Sequence, residues 1–516
     1  MQIVPPKPLT ETEVVKRRRD VVEWVTRDAL LSTDLRAFPN VNADIRERVD
    51  PVFCGGPKAG AFKWTDMCAN KDLALQQLLE SIIWQRLVVL CGAGLSMAPP
   101  SSLPSACALA QACTQEYQRN GLALPATVDP ANLEAIAEHF AAIGRLEGVF
   151  IQKLLRIQLA PFLRNSNDGH FAVADFLACR ATELVLSTNV DVLVERAAEE
   201  LQEPVPSVAT SFAEAAQNGD HSPHIKLHGC IQRDLNATLW CGSQLNHPPF
   251  SVTLPEFAIQ LPGQLIDKDL LVLGFWSDWS YLNHALERAV QTSEPNLVVV
   301  VDPAPWATLV AKAPTLTRWA EGNQVQFHHV QCSASDFLLA LRRRYSLWFM
   351  DQVLRLGADD PNQPGLLSLD AFGHLAVADL YEWRRHATGR SSAMVVRQRR
   401  PGVDCEQFSR TLQNLLARGS TVEGSRLRVG GRSARLVNAG GRILSSVRKE
   451  FNAERDPQPQ DDFVVCAGGR DDGGVPADIV RSDAPASVIR PGSAARWITD
   501  ADIAELTQGG DHALGA

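Results

Sequence analysis

The feature that most constrains this chain is an alternation running from about residue 71 to 345. Short runs of leucine and β-branched residues, Leu87 to Leu90, Leu184 to Ser187, Ile225 to Leu227, Leu270 to Leu273, Leu297 to Val301 and Val325 to Val330, are separated by stretches with helical spacing of apolar residues. Runs that are apolar on both faces suit strands buried on two sides, and strands alternating with helices lead to a parallel sheet covered by helices. The expected fold class is α/β, a Rossmann-like parallel sheet. Between the first two strands, the Ala- and Leu-rich stretch 105 to 178 keeps helical periodicity and is expected to form an inserted helical layer.

The flanking segments differ. Thr10 to Arg36 has helical spacing: Thr10 and Glu13 form a capping box, and Val14, Val15, Val21, Val22, Trp24 and Val25 recur as in a helix. Residues 37 to 70, with Pro39, Pro51, Gly55, Gly56, Pro57 and Gly60, read as a loop-rich connection. Downstream, Gly357 to Gly365 collects two glycines, two prolines, two aspartates and an asparagine and marks a boundary. Helical spacing returns to about 419, then Gly-rich alternation follows, as in Leu427 to Arg432 and Asp462 to Gly469, which reads as short strands. The expected organisation is an N-terminal extension over 1–70, the α/β domain over 71–350, and a C-terminal α+β domain over 366–516.

Composition narrows the class. At 516 residues with 45% hydrophobic and 21% charged residues, the chain is globular and holds two or three domains. Its apolar runs fall short of the roughly 20 residues of a membrane span, and its N-terminus lacks the apolar core of a secretion signal. Eleven cysteines without a C-x-x-C pair indicate neither a disulfide framework nor a zinc ribbon. A cytoplasmic location, no membrane contact and no metal are expected. The net charge of −9 is uneven, because residues 384–455 contain 16 Arg+Lys against 5 Asp+Glu, leaving −20 elsewhere. Arg384, Arg385, Arg390, Arg397, Arg399, Arg400, Arg426, Arg428, Arg432 and Arg435 dominate that segment. Planar guanidinium forks suit phosphate or carboxylate, so nucleic acid or an acidic protein is one expectation; a solvated face or internal pairing is the other.

The strand ends carry the chemistry. The first strand runs into Cys91-Gly92-Ala93-Gly94-Leu95-Ser96. At the carboxyl edge of an open sheet such a turn lets backbone N–H groups approach a pyrophosphate, and a helix start behind it adds about half a positive charge. A dinucleotide suits this turn, although the same tripeptide also makes ordinary tight turns. The second strand ends in Ser187-Thr188-Asn189-Val190-Asp191, where Asn189 or Asp191 either caps the next helix or serves a ligand. The third ends in Lys226-Leu227-His228-Gly229. An imidazole there is either structural or a base with an ordinary pKa near 6.5. The fourth gives Leu273-Gly274 and then Phe275-Trp276-Ser277-Asp278-Trp279, whose tryptophans either stack on a base or pack beneath the turn; the fifth gives Val301-Asp302-Pro303. His221 and His224 near His228, and the pair His328-His329, lack metal-ligand spacing.

In order, GAGLS, STNVD, KLHG and LGFWSDW over roughly residues 75 to 340 resemble the sirtuin superfamily in its divergent bacterial branch. The resemblance implies that Gly92, Ala93, Gly94 and Ser96 hold the phosphates of NAD. It also implies that Asn189 and Asp191 line the nicotinamide-ribose pocket, with Thr188 and Gly229 in the same cofactor site, and that His228 is the catalytic base. Gly274 and Ser277 would border the adenosine half, with Asp302 near its ribose. Two motifs of the protein deacylases are missing: the paired C-x-x-C ribbon, since only Cys230 and Cys241 lie between His228 and Gly274, and the Gly-Ile-Pro-x-Phe-Arg continuation, replaced by Met97 to Ser105. The pattern therefore looks like the sirtuin-like NAD hydrolases of anti-phage defence. These would release nicotinamide and ADP-ribose, with Asn189 positioning a water and His228 taking a proton. A deacylase or ADP-ribosyltransferase, or a non-catalytic sensor of NAD or ADP-ribose, are the alternatives. Latent activity implies a regulator, for which the inserted layer and 366–516 are the candidates, and a homo-oligomer and a defence-system partner protein are expected.

Overall fold

The structure, a computed structural model, describes residues 71–357, 369–389, 399–452, 461–471 and 495–503, apart from 164, 204, 206–207, 218–221, 275–279, 294, 314–319 and 321–324. The expected N-terminal helix and loop, His221, the Trp276–Trp279 turn with Ser277, Arg390, Arg397 and most of the breaker cluster lie outside the described residues.

Seven parallel strands form the main sheet: β1 Leu87–Cys91, β2 Leu184–Ser187, β3 Val208–Ala209, β4 His224–Lys226, β5 Asp269–Leu273, β6 Leu297–Val301 and β7 Gln326–Val330, in the order β3-β4-β2-β1-β5-β6-β7. The six strands read from the sequence are all present, with ends shifted by at most one residue; the two-residue edge strand β3 was too short to leave a periodic signal. Winding runs outward from β1 through β2 on one side and from β5 through β7 on the other, so it reverses between β1 and β5. Open α/β sheets bind ligands in the crevice outside the carboxyl ends at such a reversal.

The principal helices are α1 Lys71–Ile83, α2 Ala106–Arg119, α3 Leu133–Ala142, α4 Asp168–Ala178, α5 Leu193–Glu200, α6 Phe250–Leu265, α7 Ser280–Ser293, α8 Ala334–Leu356, α9 Val377–Ala387, α10 Glu406–Ala417 and α11 Leu444–Asn452. Strand side chains alternate between faces. Val89, Cys91, Val185 and Leu271 pack in one layer with α1, α4, α5 and α8, while Val88, Leu90, Leu186 and Ile225 pack in the other with α6 and α7. On β4 the first face breaks this pattern: in register with Val185 and Ser187 of β2 it presents His224 and Lys226.

Two expectations need correction. The inserted layer is shorter than 105–178. It consists of α2, α3 and the π-helical Leu146–Leu155, packed around Cys113, Ile136, Phe140 and Phe150 and seated on Val190, Leu193 and Trp240. Helix α4 belongs instead to the sheet-covering layer, because Ala172, Val173, Phe176 and Leu177 pack in the sheet core. The Gly turn after β1 also does not feed an α-helix. It closes in a single 3₁₀ turn, Ala93–Leu95, and the next helix begins at Ala106 behind its cap Ser105. Pro99, Pro100 and Pro104 bring no N–H to extend a helix across the interval.

The C-terminal region is α+β. A five-stranded mixed sheet, in the order β12-β11-β10-β9-β8, contains β8 Thr421–Glu423, β9 Arg426–Val429, β10 Arg432–Asn438, β11 Phe463–Ala467 and β12 Arg496–Thr499. The first three run antiparallel and the last three parallel. Helix α8 is buried on both sides, so one continuous core contains Phe337 and Leu341 beside the main sheet and Trp383, Phe408, Leu436 and Val465 beside the second. Among the described residues no helix is long and apolar enough to cross a membrane.

Much of the basic excess is used inside the molecule. Buried Arg384 and Arg342 share Asp175, with Arg342 Nε 2.7 Å from Asp175 Oδ2. Arg426 and Arg435 share Asp461 at 2.5 and 2.8 Å. Buried Arg385 lies 3.7 Å from Glu382, Arg399 donates to Gln85, and Arg400 donates to the Ile83 carbonyl with its guanidinium 4.6 Å from the Trp84 ring. Arg428 and Arg432 are exposed. With Arg428, which pairs with exposed Glu423 at 3.0 Å, internal partners account for seven of the ten arginines singled out.

Candidate functional site

The carboxyl edge at the winding reversal is built on two glycines. Gly92 N–H donates to Leu273 O and Gly94 N–H to Gly274 O, each at 2.9 Å, which ties the turn after β1 to the turn after β5. A Cβ on Gly94 would meet the Gly274 Cα at 2.6 Å, and Gly274 itself has φ +52°. Both positions require glycine for this contact. Ala93 is exposed at the rim of the turn.

Beside this turn a hydrogen-bond network joins four residues. Asn167 N–H donates to His170 Nδ1 at 3.1 Å, which leaves the imidazole proton on Nε2, pointing 3.0 Å to Ser96 Oγ. Ser96 Oγ accepts from Asn189 Nδ2 at 3.2 Å and gives its own proton to Asp191 Oδ2 at 2.9 Å. The other carboxylate oxygen, Oδ1, accepts from Leu193 N–H at 3.1 Å at the start of α5. Asp191 thus holds the start of α5, the structural role weighed from the sequence, and joins it to the Ser96 network. A histidine that donates to the serine cannot activate it as a base would, so Ser96, His170 and Asp191 anchor the turn and do not form a nucleophilic triad. Burial first, then the nearby Lys226, pulls His170 down to about 3 and keeps the ring neutral. Burial also pushes the Cys91 thiol far up, with the Asp191 charge adding to it, so no thiolate is offered here.

His228 is buried at the carboxyl end of β4, next to β2, and its turn touches the Asn189 turn directly: Leu227 N–H donates to Ser187 O at 2.8 Å and Ile231 N–H to Val190 O at 3.1 Å. Gly229, at φ +83°, lets the chain pass the Ala237 carbonyl, where a Cβ would collide. Burial lowers His228 to about 4, below the ordinary value of 6.5. The ring is therefore neutral and able to accept a proton over the whole range above pH 4, as a weaker base than an exposed imidazole. Beneath these turns lies a small cavity lined by Cys91, Leu95, His170, Val185, Ser187, Asn189, Asp191, Val194, His224 and Lys226.

The structure brings Ser96, Asn189 and Asp191 into one network, seats Gly94 against Gly274, and sets the His228 turn alongside. Thr188 closes the end of β2 onto β1, its N–H donating to Cys91 O at 3.0 Å. Asp302 stands at the end of β6, beyond β5, where Oδ1 accepts from Ala304 N–H at 2.7 Å; no hydrogen bond joins it to the network among the described residues. Three residues were missed. His170 had a signal in Asn167, three positions earlier at the head of an apolar helix, where the two make a capping box. Lys226 and Glu195 had one in the charge inside an apolar strand, which must find an anion. Among the described residues no group of three or more His, Cys, Asp or Glu is placed to hold a metal.

No protein-family model matches the chain, and no curated protein matches it. Among solved structures it is similar to a Sir2 homolog–NAD complex, at 16% identity and TM-score 0.32 over 52% of this chain and 93% of that one. It is also similar to a mutant Sir2 homologue with 2'-O-acetyl ADP ribose, at 15% identity and TM-score 0.30 over 53% and 95%. A third, a mutant Sir2 homologue–ADP ribose complex, stands at 16% identity and TM-score 0.30 over 53% and 98%.

Proposed function

We propose that the crevice between β1, β2 and β5 binds NAD and that the chain hydrolyses it to nicotinamide and ADP-ribose. The observation that carries this reading is Ser96. Its hydroxyl ties the glycine turn, suited to a pyrophosphate, to Asn189 and Asp191, suited to a ribose and its leaving group, with a neutral imidazole on the adjoining turn. In the reaction, the bond from the ribose carbon to the nicotinamide nitrogen breaks, a water oxygen bonds to that carbon, and the water's proton passes to His228. Asn189 orients the water. Metal is not needed for any of these roles.

The test is release of nicotinamide and ADP-ribose from NAD by the purified full chain, with an acylated peptide as a parallel arm. Positioned proton transfer contributes about 10²- to 10⁴-fold, so His228→Ala and Asn189→Ala should each lose activity on that scale. Undiminished turnover by His228→Ala would remove the assignment, and deacylation of the peptide would redirect it. We further propose that the activity depletes cellular NAD as an effector of anti-phage defence, a reading supported by the ordered motif set. NAD should then fall after phage challenge in cells carrying the wild-type chain but not in cells carrying His228→Ala.

A further inference from the structure

We propose that Lys226 is a positioning residue for this site: its ammonium holds the Asn189–Asp191 turn against the His228 turn through the Asp191 carbonyl, while Glu195 neutralises its charge inside the sheet. The inference rests on the reading of the crevice as the NAD site.

Lys226 is 1% exposed, in register with Ser187 of β2 on the sheet face that also carries Val185 and Val89. Its Nζ donates to the Asp191 carbonyl, lies 2.5 Å from Glu195 Oε1 and 3.8 Å from Cys230 Sγ. One ammonium therefore joins three segments: the Asn189 turn, α5, and the turn that follows His228. Burial alone would lower the pKa of this group; Glu195, then Cys230 and Asp191, more than offset that and keep it charged.

The backbone shows what this accomplishes. The turn after β2 leaves the sheet, so its carbonyls lose their strand partners. Two successive ones are taken up by the segment carrying His228: Val190 O by Ile231 N–H and Asp191 O by Lys226. Together with Leu227 N–H to Ser187 O at the strand ends, those two bonds fix the offset between Asn189 and His228. A purely structural need would be met by an apolar residue, since well-packed hydrophobic replacements of buried ion pairs are often neutral or stabilising. The charge is retained where its donor reaches the main chain of the site.

The experiment compares Lys226→Gln with Lys226→Met, both in a Glu195→Gln background. Both pairs are uncharged and of similar size, but only glutamine can donate to the Asp191 carbonyl. Hydrogen exchange over residues 188–193 should be about tenfold faster in the methionine variant, the size of one lost hydrogen bond. Its kcat should lie about 10- to 100-fold below that of the glutamine variant, with KM for NAD nearly equal, because small displacements of reacting groups cost rate more than binding. Equal exchange and equal kcat would overturn the proposal. Failure of both variants to fold would overturn it as well, by assigning the pair to the fold alone. A wild-type chain that releases no nicotinamide would instead break the NAD reading, and the exchange contrast would still decide the role of Lys226.

Discussion

Helix α4 carries two buried polar clusters, about 7.5 Å apart along its axis, built in opposite ways. At its N-terminal end His170 joins Ser96, Asn189 and Asp191 through bonds in which only Asp191 is a charged-type group, and half-buried Asn189 leaves the cluster open to the crevice. Five residues on, Asp175 is fully buried between Arg342 of α8 and Arg384 of α9, with the Arg384 guanidinium 4.6 Å from the Tyr345 ring. The first gathers neutral donors around one carboxylate beside half-buried Asn189; the second sets full charges against each other inside the core. Polarity inside a core does not identify a site. Access to solvent does.

The sharpest way to break this contrast is Asp175→Ala, which leaves two guanidiniums without their shared carboxylate. Truncating one partner of a buried pair costs about 3–5 kcal/mol, measured by urea denaturation, whereas Ser96→Ala, which orphans hydrogen bonds only, should cost about 1–3 kcal/mol. A loss below about 1 kcal/mol for Asp175→Ala would end the distinction. Acid separates the two clusters next. Burial lowers His224 and His228 to about 4 and His170 to about 3, so between pH 6.5 and those values the unfolded chain binds protons that the folded chain does not. Stability is then lost as pH falls through that window, by up to about 1.4 kcal/mol per pH unit for each ring. Asp175 is also shifted down, but from a lower ordinary value: burial raises it, Arg384 and Arg342 prevail and hold it below 3.8, so its contribution persists until the pH falls below that value. Hydrogen exchange at pH 5 should rise around β4 and the start of α4 while the α8–α9 contact stays protected. Simultaneous loss in both places would contradict this.

Gly94→Ala sharpens the comparison further. Its Cβ must displace the Gly274 backbone, at a cost of about 1–3 kcal/mol, and should weaken NAD binding more than it lowers stability. Calorimetric titration together with a thermal melt would read both. The smallest effect belongs to Arg428→Ala. Its pair with Glu423, at 3.0 Å with both side chains about half exposed, should contribute less than about 1 kcal/mol.

The main sheet was legible because its strands are buried on both faces and bounded by turn residues, so that each run of valine and leucine fixed its own ends. The strand-end residues were legible for the same reason: once the strands are placed, Ser96, Asn189, Asp191 and His228 must gather at one edge. What could not be read was which bond each one makes. His170 reaches the site from an α-helix 74 residues after Ser96, a separation that no local spacing records. The Arg-rich segment left its two readings open for a related reason. Counting charges shows an excess but not that Asp175 and Asp461, on other elements, already pair with three of its arginines, Arg384, Arg426 and Arg435.

The two-sided burial of α8 bears on how such a chain could be shortened or recombined. A version cut at the Gly357 break would lose Arg384, leave Asp175 with Arg342 alone, and open the flank of α8 that Trp383 and Phe408 cover. The C-terminal half is therefore no cassette that evolution or an engineer can exchange at will. Any replacement has to bring its own guanidinium to Asp175 and its own aromatic cover for α8.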